Sequence, residues 1–322
     1  MNNHITNLEK IIQTEHGNIA GLVVLKNGEV RYENYFNGCT AASPIHIFSA
    51  TKSIISLLVG IAIGQGHIKG VGQKVLDFFL GYTPKRGEKT IQTITLKQLL
   101  TMTAPYKYRS APYTRYFTSD DWVKCALDLL GGKGPVGEFR YTPLIGPDIL
   151  SGILMAATGQ PVREYATQQL FGPLGIKTPA NVVFKDKEDQ FAFLRNQSGT
   201  HRWVADPKGV NTAGWGLTLT AMEMAKIGQL CADGGNWQGR QLVPAGWITE
   251  STKEHSRWPE LDLPYGYLWW AKVARGYAAM GDSGNVIYVN PKKNLVVAIA
   301  ALYKPSAKDR IGLIEAHIEP VF

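Results

Sequence analysis

The sequence predicts an α+β protein in which one antiparallel sheet is built from both ends of the chain and a mostly helical part is inserted between them. Segments with the alternation and β-branched residues of strands occur near the N-terminus and again from Tyr265 onward. Between them, apolar residues recur at helical spacing, separated by loops rich in Gly, Pro and Tyr. This order favours a sheet flanked by helices, an α/β sandwich, with the functional site in the groove between the two parts.

The N-terminal elements are a short amphipathic helix over residues 8–15 and a hairpin. Residues 19–25 and 30–36 have strand patterns, and the Asn27-Gly28 pair between them is typical of hairpin turns. Residues 54–63 are then apolar on every face of a helix that we expect to begin near Ser49 and to end before His67. A helix of this kind is buried on all sides, so it is expected to form the centre of the helical part.

The remaining elements follow the same order of helices and then strands. Helical patterns cover residues 96–102, 118–130, 147–158, 161–170, 220–231 and 243–251. Strand patterns cover residues 265–270, 276–280, 285–290 and 295–302, and a closing helix is predicted over 306–317. The predicted division is a sheet domain of residues 1–45 and 223–322 and a helical domain of residues 46–222.

Composition excludes several classes of protein. The chain has 322 residues, 44% of them hydrophobic and 19% charged, which is typical of a globular protein. The net charge of +8 comes from scattered basic residues, so no nucleic-acid partner is expected. Three widely spaced cysteines with no Cys/His cluster argue against a disulfide framework or a metal site. The N-terminus lacks the pattern of a signal peptide and no apolar run spans a bilayer, so a cytoplasmic protein without membrane contact is predicted.

Ser49 and Lys52 are the first candidate catalytic pair. They lie one helical turn apart and therefore share a face of the helix. A serine hydroxyl becomes a good nucleophile when a base takes its proton, and a lysine amine is such a base when desolvation keeps it neutral. The positive end of the helix also directs the Ser49 backbone N–H towards a developing oxyanion. By itself the pattern equally fits a capping serine and a lysine whose stem extends outward from a buried helix.

Further motifs downstream of this pair occur in a fixed order. They are residues 94–103, Phe139-Arg140-Tyr141, Ala213-Gly214-Trp215-Gly216-Leu217, residues 265–270 and Gly281-Asp282-Ser283-Gly284-Asn285. Together with Ser49-Ala50-Thr51-Lys52, they make nearly the whole chain resemble the serine β-lactamase and penicillin-binding protein superfamily, in its class C-like branch of esterases, DD-peptidases, D-aminopeptidases and amide hydrolases. The resemblance implies a β-lactamase/transpeptidase-like fold. It also implies an acyl-enzyme mechanism on a small-molecule ester, amide or peptide, with no metal or organic cofactor.

The resemblance assigns roles to the other two signatures. Tyr141-Thr142-Pro143 looks like the Tyr-x-Asn element, so Tyr141 would pass the proton to the leaving group, while Pro143 departs from the pattern. Asp282-Ser283-Gly284 aligns with the Lys-Thr-Gly triplet. In that alignment Gly284 lets the substrate approach, and the N–H of Asn285 joins that of Ser49 in holding the oxyanion.

Asp282 reverses the charge that this superfamily places beside the substrate. An aspartate there repels a carboxylate and attracts an amine, unless it points away or pairs with a nearby Arg or Lys. Trp215 is predicted to contact substrate, although it and the tyrosines of residues 106–116 equally fit core packing.

Pro143 and Asp282 replace groups that the superfamily uses to recognise β-lactams. Their presence favours an esterase or small-amide hydrolase over a β-lactamase. Two alternatives stay open: a hydrolase of D-residue or amine-bearing peptides and amides, and a penicillin-sensing module that does not turn over. The sequence makes no prediction of the oligomeric state.

The tetrad Gly281-Asp282-Ser283-Gly284 also looks like the nucleophile motif of trypsin-like proteases. Those enzymes need a histidine and an aspartate held by a β-barrel, and the helical middle of this chain does not provide that frame. His46 lies three residues before Ser49 but is predicted to be a loop or core histidine, because Lys52 and Tyr141 already supply the acid–base chemistry.

Overall fold

The computed structural model of the protein describes residues 2–195 and 199–322. Its helices are α1 (Asn2–Glu15), α2 (Thr51–Gly64), α3 (Leu96–Leu100), α4 (Tyr113–Phe117), α5 (Trp122–Leu129), α6 (Asp148–Thr158), α7 (Val162–Ala166), α8 (Gly172–Leu174), α9 (Lys187–Arg195), α10 (Ala221–Ala232), α11 (Ala245–Ser251) and α12 (Arg310–Leu313). Its strands are β1 (Ile19–Lys26), β2 (Glu29–Tyr35), β3 (Ile45–His46), β4 (Ala180–Val182), β5 (Arg202–Val204), β6 (Thr218–Leu219), β7 (Asn236–Trp237), β8 (Arg240–Gln241), β9 (Ser256–Trp258), β10 (Leu263–Tyr265), β11 (Trp270–Val273), β12 (Gly276–Gly281), β13 (Asn285–Asn290) and β14 (Leu295–Ala301). No helix in the described part of the chain is long and apolar enough to cross a membrane.

The main sheet joins the two ends of the chain. Over residues 2–195 and 199–322 it has eight antiparallel strands in the order β2-β1-β14-β13-β12-β11-β10-β9. β1 pairs along its length with β14, as in Val24 opposite Val297. Both strands are almost wholly buried because helices cover both faces, which explains their continuous apolar sequences. From this buried frame, the C-terminal end of β12 packs against the turn of residues 48–50 in the helical part.

Helix α2 is the buried centre of the helical part. Its residues from Thr51 to Ala62 are buried, and it packs against α6, α11 and β12. Gly60 allows this packing, because a Cβ at that position would overlap the Trp247 ring of α11. The helix predicted from the apolar run is thus present, and a short 3₁₀ turn, Phe48–Ala50, leads into it.

The α+β class is confirmed, and the differences from the sequence prediction are local. Residues 265–270 are a turn rather than a strand: Tyr265 pairs with Trp270, and the Gly266 N–H donates to the Trp269 carbonyl at 2.8 Å. Residues 118–130 contain only α5, which begins after Asp121 because that side chain accepts the Lys124 N–H. The closing helix is likewise delayed to Arg310 by the cap at Asp309. Cys39, Cys125 and Cys231 are buried, and none of them forms a disulfide within residues 2–195 and 199–322.

Candidate active site

Ser49 lies in the 3₁₀ turn that precedes α2. Phe48 has a φ of 49°, a left-handed conformation that is uncommon for a residue with a side chain. The Thr51 hydroxyl stabilises the turn by donating to the Phe48 carbonyl at 2.7 Å. Phe48, Ala50 and Thr51 are buried, whereas Ser49 is partly exposed. The turn therefore presents the Ser49 hydroxyl to the groove.

Lys52 is buried beneath Ser49, with 1% of its surface exposed. Its Nζ donates to Ser49 Oγ at 3.0 Å and to the main-chain carbonyls of Pro143 and Gly214 at 2.8 Å each. Burial lowers the pKa of Lys52 to about 7, and the negative charges of Asp282 and Asp148 oppose this shift. Near neutral pH, a large fraction of Lys52 is therefore the free amine.

The three partners of Lys52 determine the direction of its lone pair. Carbonyl oxygens only accept hydrogen bonds, whereas the Ser49 hydroxyl both accepts and donates. When Lys52 loses a proton, its two remaining N–H groups stay on Pro143 and Gly214, and the lone pair faces Ser49. This geometry suits removal of the Ser49 proton by Lys52.

Tyr141 completes the cluster. Its ring centroid lies 5.1 Å from Lys52 Nζ, and its phenol is close enough to Ser49 for the serine hydroxyl to act on the phenol pKa. Burial raises its pKa, against the effect of the Ser49 hydroxyl, so the phenol holds its proton at neutral pH. Trp258 stacks on the ring at 5.5 Å and Trp270 packs beside it at 5.8 Å. Trp258 lies on the edge strand β9 and no sequence motif had indicated it, whereas Trp270, at the start of β11, ends the motif of residues 265–270.

The resemblance implied that an asparagine amide is lost at position 143. In the structure, Pro143 supplies a main-chain oxygen there instead. Gly214 lies so close to it that a Cβ on Gly214 would be 2.6 Å from the Pro143 oxygen. The two carbonyls therefore converge on Lys52 from neighbouring loops, and Lys52 keeps three partners without an asparagine side chain.

The predicted position of the third signature must be shifted by three residues, from Gly284 to Gly281. A Cβ on Gly281 would clash with the Ile47 carbonyl and lie 3.2 Å from the Ala50 nitrogen, so Gly281 is the glycine beside the nucleophile turn. A Cβ on Gly284 would instead meet Arg310, at 2.7 Å from Nε. The reason is that Gly281 ends β12, whereas Ser283 and Gly284, with φ of 65° and 85°, form the turn into β13.

The predicted substrate-facing roles of Ser283, Gly284 and Asn285 are therefore wrong in this structure. Ser283 Oγ donates to the Lys304 carbonyl at 3.2 Å. Asn285 is fully buried, and its side-chain amide donates to the Asp282 carbonyl at 2.9 Å while its oxygen accepts the Ala301 N–H at 2.9 Å. These residues hold the β12–β13 turn together.

Asp282 itself faces the groove. Its negative charge acts to raise the pKa of Lys52, Tyr141 and Tyr113, which places the carboxylate within range of all three. Asp282 is exposed, and within residues 2–195 and 199–322 its carboxylate forms no ion pair with a Lys or Arg. The charge of Asp282 therefore acts on the site, and it is not neutralised by an ion pair within those residues.

The other aromatic candidates belong to the core. Trp215 is 5% exposed and packs against His46, Phe117 and Phe193, so its predicted contact with substrate is wrong here. His46 is a core histidine as predicted: its Nε2 accepts the Gly216 N–H at 3.0 Å, and burial lowers its pKa to about 3. Tyr113, by contrast, is 38% exposed beside Asp282.

Comparison with known proteins agrees with this geometry. The family model described as "Beta-lactamase" matches residues 8–319. A 6-aminohexanoate-dimer hydrolase of Paenarthrobacter ureafaciens is 23% identical over 315 residues, which cover 90% of this chain and 74% of the relative. A penicillin-binding protein homologue from Caulobacter crescentus has a similar structure, with a TM-score of 0.73, 17% identity and coverage of 99% of this chain and 96% of the homologue. A family VIII carboxylesterase has a TM-score of 0.71, 16% identity and coverage of 98% and 96%. The two solved structures share the fold, and the family match over nearly the whole length shows that the chain belongs to the β-lactamase family.

Proposed function

We propose that this protein is a serine hydrolase that cleaves an ester or amide bond of a small molecule through an acyl-enzyme. The observation that carries the proposal is the desolvated Lys52 amine, held by two carbonyls with its remaining position on Ser49 Oγ. An amine with a pKa of about 7 is suited to general-base catalysis at neutral pH. The names of two similar proteins, a carboxylesterase and an amide-dimer hydrolase, agree with this reaction class.

The proposed reaction has two halves, formation of the acyl-enzyme and its hydrolysis, and each catalytic group acts once in each half. Ser49 attacks the carbonyl carbon as Lys52 takes its proton, and the backbone N–H groups of Ser49 and Asp282, the residue after Gly281, hold the oxyanion. Tyr141 then gives a proton to the departing alkoxide or amine and is reprotonated from Lys52. Water attacks the acyl-enzyme with the same groups acting in reverse and releases the acid.

Esters and simple amides are preferred over β-lactams as substrates. The superfamily uses an asparagine amide and a basic side chain to recognise the β-lactam. Here Pro143 stands at the asparagine, and with Gly281 as the glycine of the triplet the uncharged Ala279 stands at the basic position. A carboxylate in the groove repels the carboxylate that β-lactams carry. We expect weak or no β-lactamase activity.

A second candidate is hydrolysis of an amide or peptide that carries a free amine or a D-residue. The observation that favours it is the unpaired Asp282 carboxylate facing Lys52 and Tyr113 across the groove. An ammonium group on the substrate would fill this position with a charge-assisted hydrogen bond. One similar protein is named for a dimer of an amino acid, 6-aminohexanoate.

The test of the mechanism is a comparison of Ser49→Ala with Ser283→Ala. We expect the wild type and Ser283→Ala to hydrolyse a short-chain nitrophenyl ester, and Ser49→Ala to lose at least about a thousandfold in kcat/KM. A fluorophosphonate probe should add mass to the peptide that contains Ser49. Equal ester rates in Ser49→Ala and wild type, or labelling of Ser283, would contradict the proposal. A single stoichiometric burst without turnover would favour the penicillin-sensing module instead.

A further inference from the structure

Asp148 is a buried carboxylate at the start of α6, with 2% of its surface exposed. Its Oδ1 accepts the Ala213 N–H at 2.8 Å, and the nearby Gly214 N–H acts to lower the pKa of the carboxyl. Its Oδ2 accepts the hydroxyl of Tyr116, which is itself fully buried. No sequence motif indicated Asp148, and the proposed reaction does not use it directly.

The segment that Asp148 anchors also holds Lys52. Asp148 accepts the Ala213 N–H at 2.8 Å, and the carbonyl of the next residue, Gly214, accepts Lys52 Nζ at 2.8 Å. One peptide segment therefore connects the buried carboxylate to the base. A Cβ on Gly214 would meet Pro143 and Leu144, so this segment is also wedged against the second carbonyl of the site.

We propose that Asp148 is a positioning residue for the general base: it fixes the Ala213–Gly214 main chain so that the Gly214 carbonyl keeps the Lys52 amine directed at Ser49. The inference rests on the proposed serine mechanism and assigns the element that holds its base in place. Asp148 acts through the peptide segment and does not touch the substrate.

The charges around Asp148 and Lys52 are consistent with this role. Burial raises the pKa of Asp148 to about 7, against the effects of Tyr116 and of the Ala213 and Gly214 N–H groups and with the help of nearby Asp206. The groups whose charges reach Lys52 are Asp282 and Asp148, and the Tyr141 ring lies beside it. A carboxylate at 148 favours the protonated lysine, so Asp148 also raises the pH at which Lys52 becomes a free base.

Two substitutions of Asp148 distinguish the effect of its charge from its role in anchoring the Ala213–Gly214 main chain. Asp148→Asn removes the charge but keeps the shape: its oxygen can still accept the Ala213 amide while its NH₂ donates to the Tyr116 oxygen. Asp148→Ala removes both. Asp206→Asn is the matched control, because Asp206 is also a buried carboxylate that accepts main-chain amides, those of Trp122 and Val210, but it does not bind the Gly214 segment.

The experiment measures kcat/KM for a nitrophenyl ester, and the rate of fluorophosphonate labelling of Ser49, from pH 5 to 9. For Asp148→Asn, which keeps an acceptor for the Ala213 amide, we expect a near-normal plateau in both profiles and an acidic limb moved to lower pH by less than one unit, because Asp148 is itself protonated over much of that range. For Asp148→Ala we expect the plateau kcat to fall about tenfold to a hundredfold with little change in KM, because the base is misplaced. Asp206→Asn should lower thermal stability but leave both the acidic limb and the plateau of each pH profile unchanged.

A wild-type kcat in folded Asp148→Ala, or a plateau that falls as far in Asp148→Asn as in Asp148→Ala, would overturn the inference. If Asp148→Ala does not fold, the plateau of Asp148→Asn decides the question: a fall of about tenfold or more would overturn the inference, because that variant keeps the anchoring contact. If Ser49→Ala remains active, the serine mechanism itself is wrong, so the two failures are distinguishable.

Discussion

At the scale of single residues, the burial of Lys52 determines how activity depends on pH. The free amine is the reactive form, and burial moves its pKa from 10.5 to about 7. The reactive fraction therefore increases as pH rises through about 7, and we expect kcat/KM for a substrate without titrating groups to rise over the same range and then level off. A profile that is flat from pH 5 to 9, or that rises only near 10, would contradict this. Lys52→Arg is the control, because a guanidinium stays protonated and should give an inactive enzyme.

Asp282 gives a second prediction at this scale. Its charge raises the pKa of Lys52, so Asp282→Asn should move the acidic limb of kcat/KM to lower pH. If it also binds a substrate ammonium group, kcat/KM for amine-bearing amides should fall about tenfold or more relative to neutral esters of similar size. Asp120→Asn, at an exposed carboxylate on the loop before α5, should change neither property. An unchanged preference across such a substrate panel would remove the proposed role of Asp282 in recognition.

The sequence predicted which side chains form the site better than it predicted which main-chain groups do. The structure brings Ser49, Lys52 and Tyr141 together, as the ordered motifs predicted. It was not possible to predict that the Pro143 and Gly214 carbonyls hold Lys52, because every residue has a carbonyl and only the fold decides where each one points. Asp148 was missed for a related reason: a single aspartate in a helical pattern gives no sign of its burial.

At the scale of elements, the contact between β12 and the nucleophile turn tests the corrected position of the third signature. A Cβ on Gly281 would clash with the Ile47 carbonyl, which is main chain and has no side chain to rotate away. We expect Gly281→Ala to destabilise the protein by about 1–3 kcal/mol or more and to abolish ester hydrolysis, because β12 must move away from Ser49. Chemical denaturation and the ester assay measure the two effects.

The matched control for Gly281→Ala is Gly246→Ala in α11. Nothing lies within 4 Å of a Cβ at Gly246, so alanine should be neutral or should stabilise the helix by about 0.5–1 kcal/mol. If Gly281→Ala were as active and stable as Gly246→Ala, the packing of β12 against the turn would be wrong.

The elements themselves differ in how well their sequences specified them. The buried helix, the N-terminal hairpin and the last two strands follow strong periodic patterns and are present close to their predicted positions. The segment at residues 265–270 has the aromatic content of a strand but forms a turn, because Gly266 packs against the Ser251 carbonyl, an interaction distant in sequence. The misplaced third signature has a similar origin. Gly281 and Gly284 are both glycines of one short turn, and only the packing of each shows which one meets Ser49.

At the scale of the whole molecule, Glu319 fastens the C-terminal segment to the sheet. Its buried carboxylate accepts hydrogen bonds from the Tyr288 hydroxyl at 2.6 Å, the Asn290 amide at 2.8 Å and Arg275 at 2.8 Å. These partners hold its pKa below 4.5, against the effect of burial. A carboxylate with a lowered pKa in the folded state stabilises the fold above its unfolded pKa, and this contribution is lost as pH falls through the folded pKa.

We therefore expect Glu319→Gln to lower the free energy of unfolding at pH 7 by about 1–2 kcal/mol, because the Tyr288 and Asn290 donors lose a charged acceptor while the Arg275 side chain remains solvated. The difference from wild type should shrink as the solution is acidified, since the wild-type carboxylate is then protonated as well. Denaturation curves at pH 7 and pH 3 measure it. Glu315→Gln, at an exposed position in the same segment, should have little effect at either pH, and an equal loss in both variants would contradict the role of Glu319.

The use of main-chain oxygens around Lys52 has a consequence for how this site tolerates mutation. A carbonyl remains in place whatever side chain the residue carries, so a change at position 143 does not by itself remove a partner of the base. Sequence drift at that position can alter which substrates fit the groove while leaving the proton transfer intact.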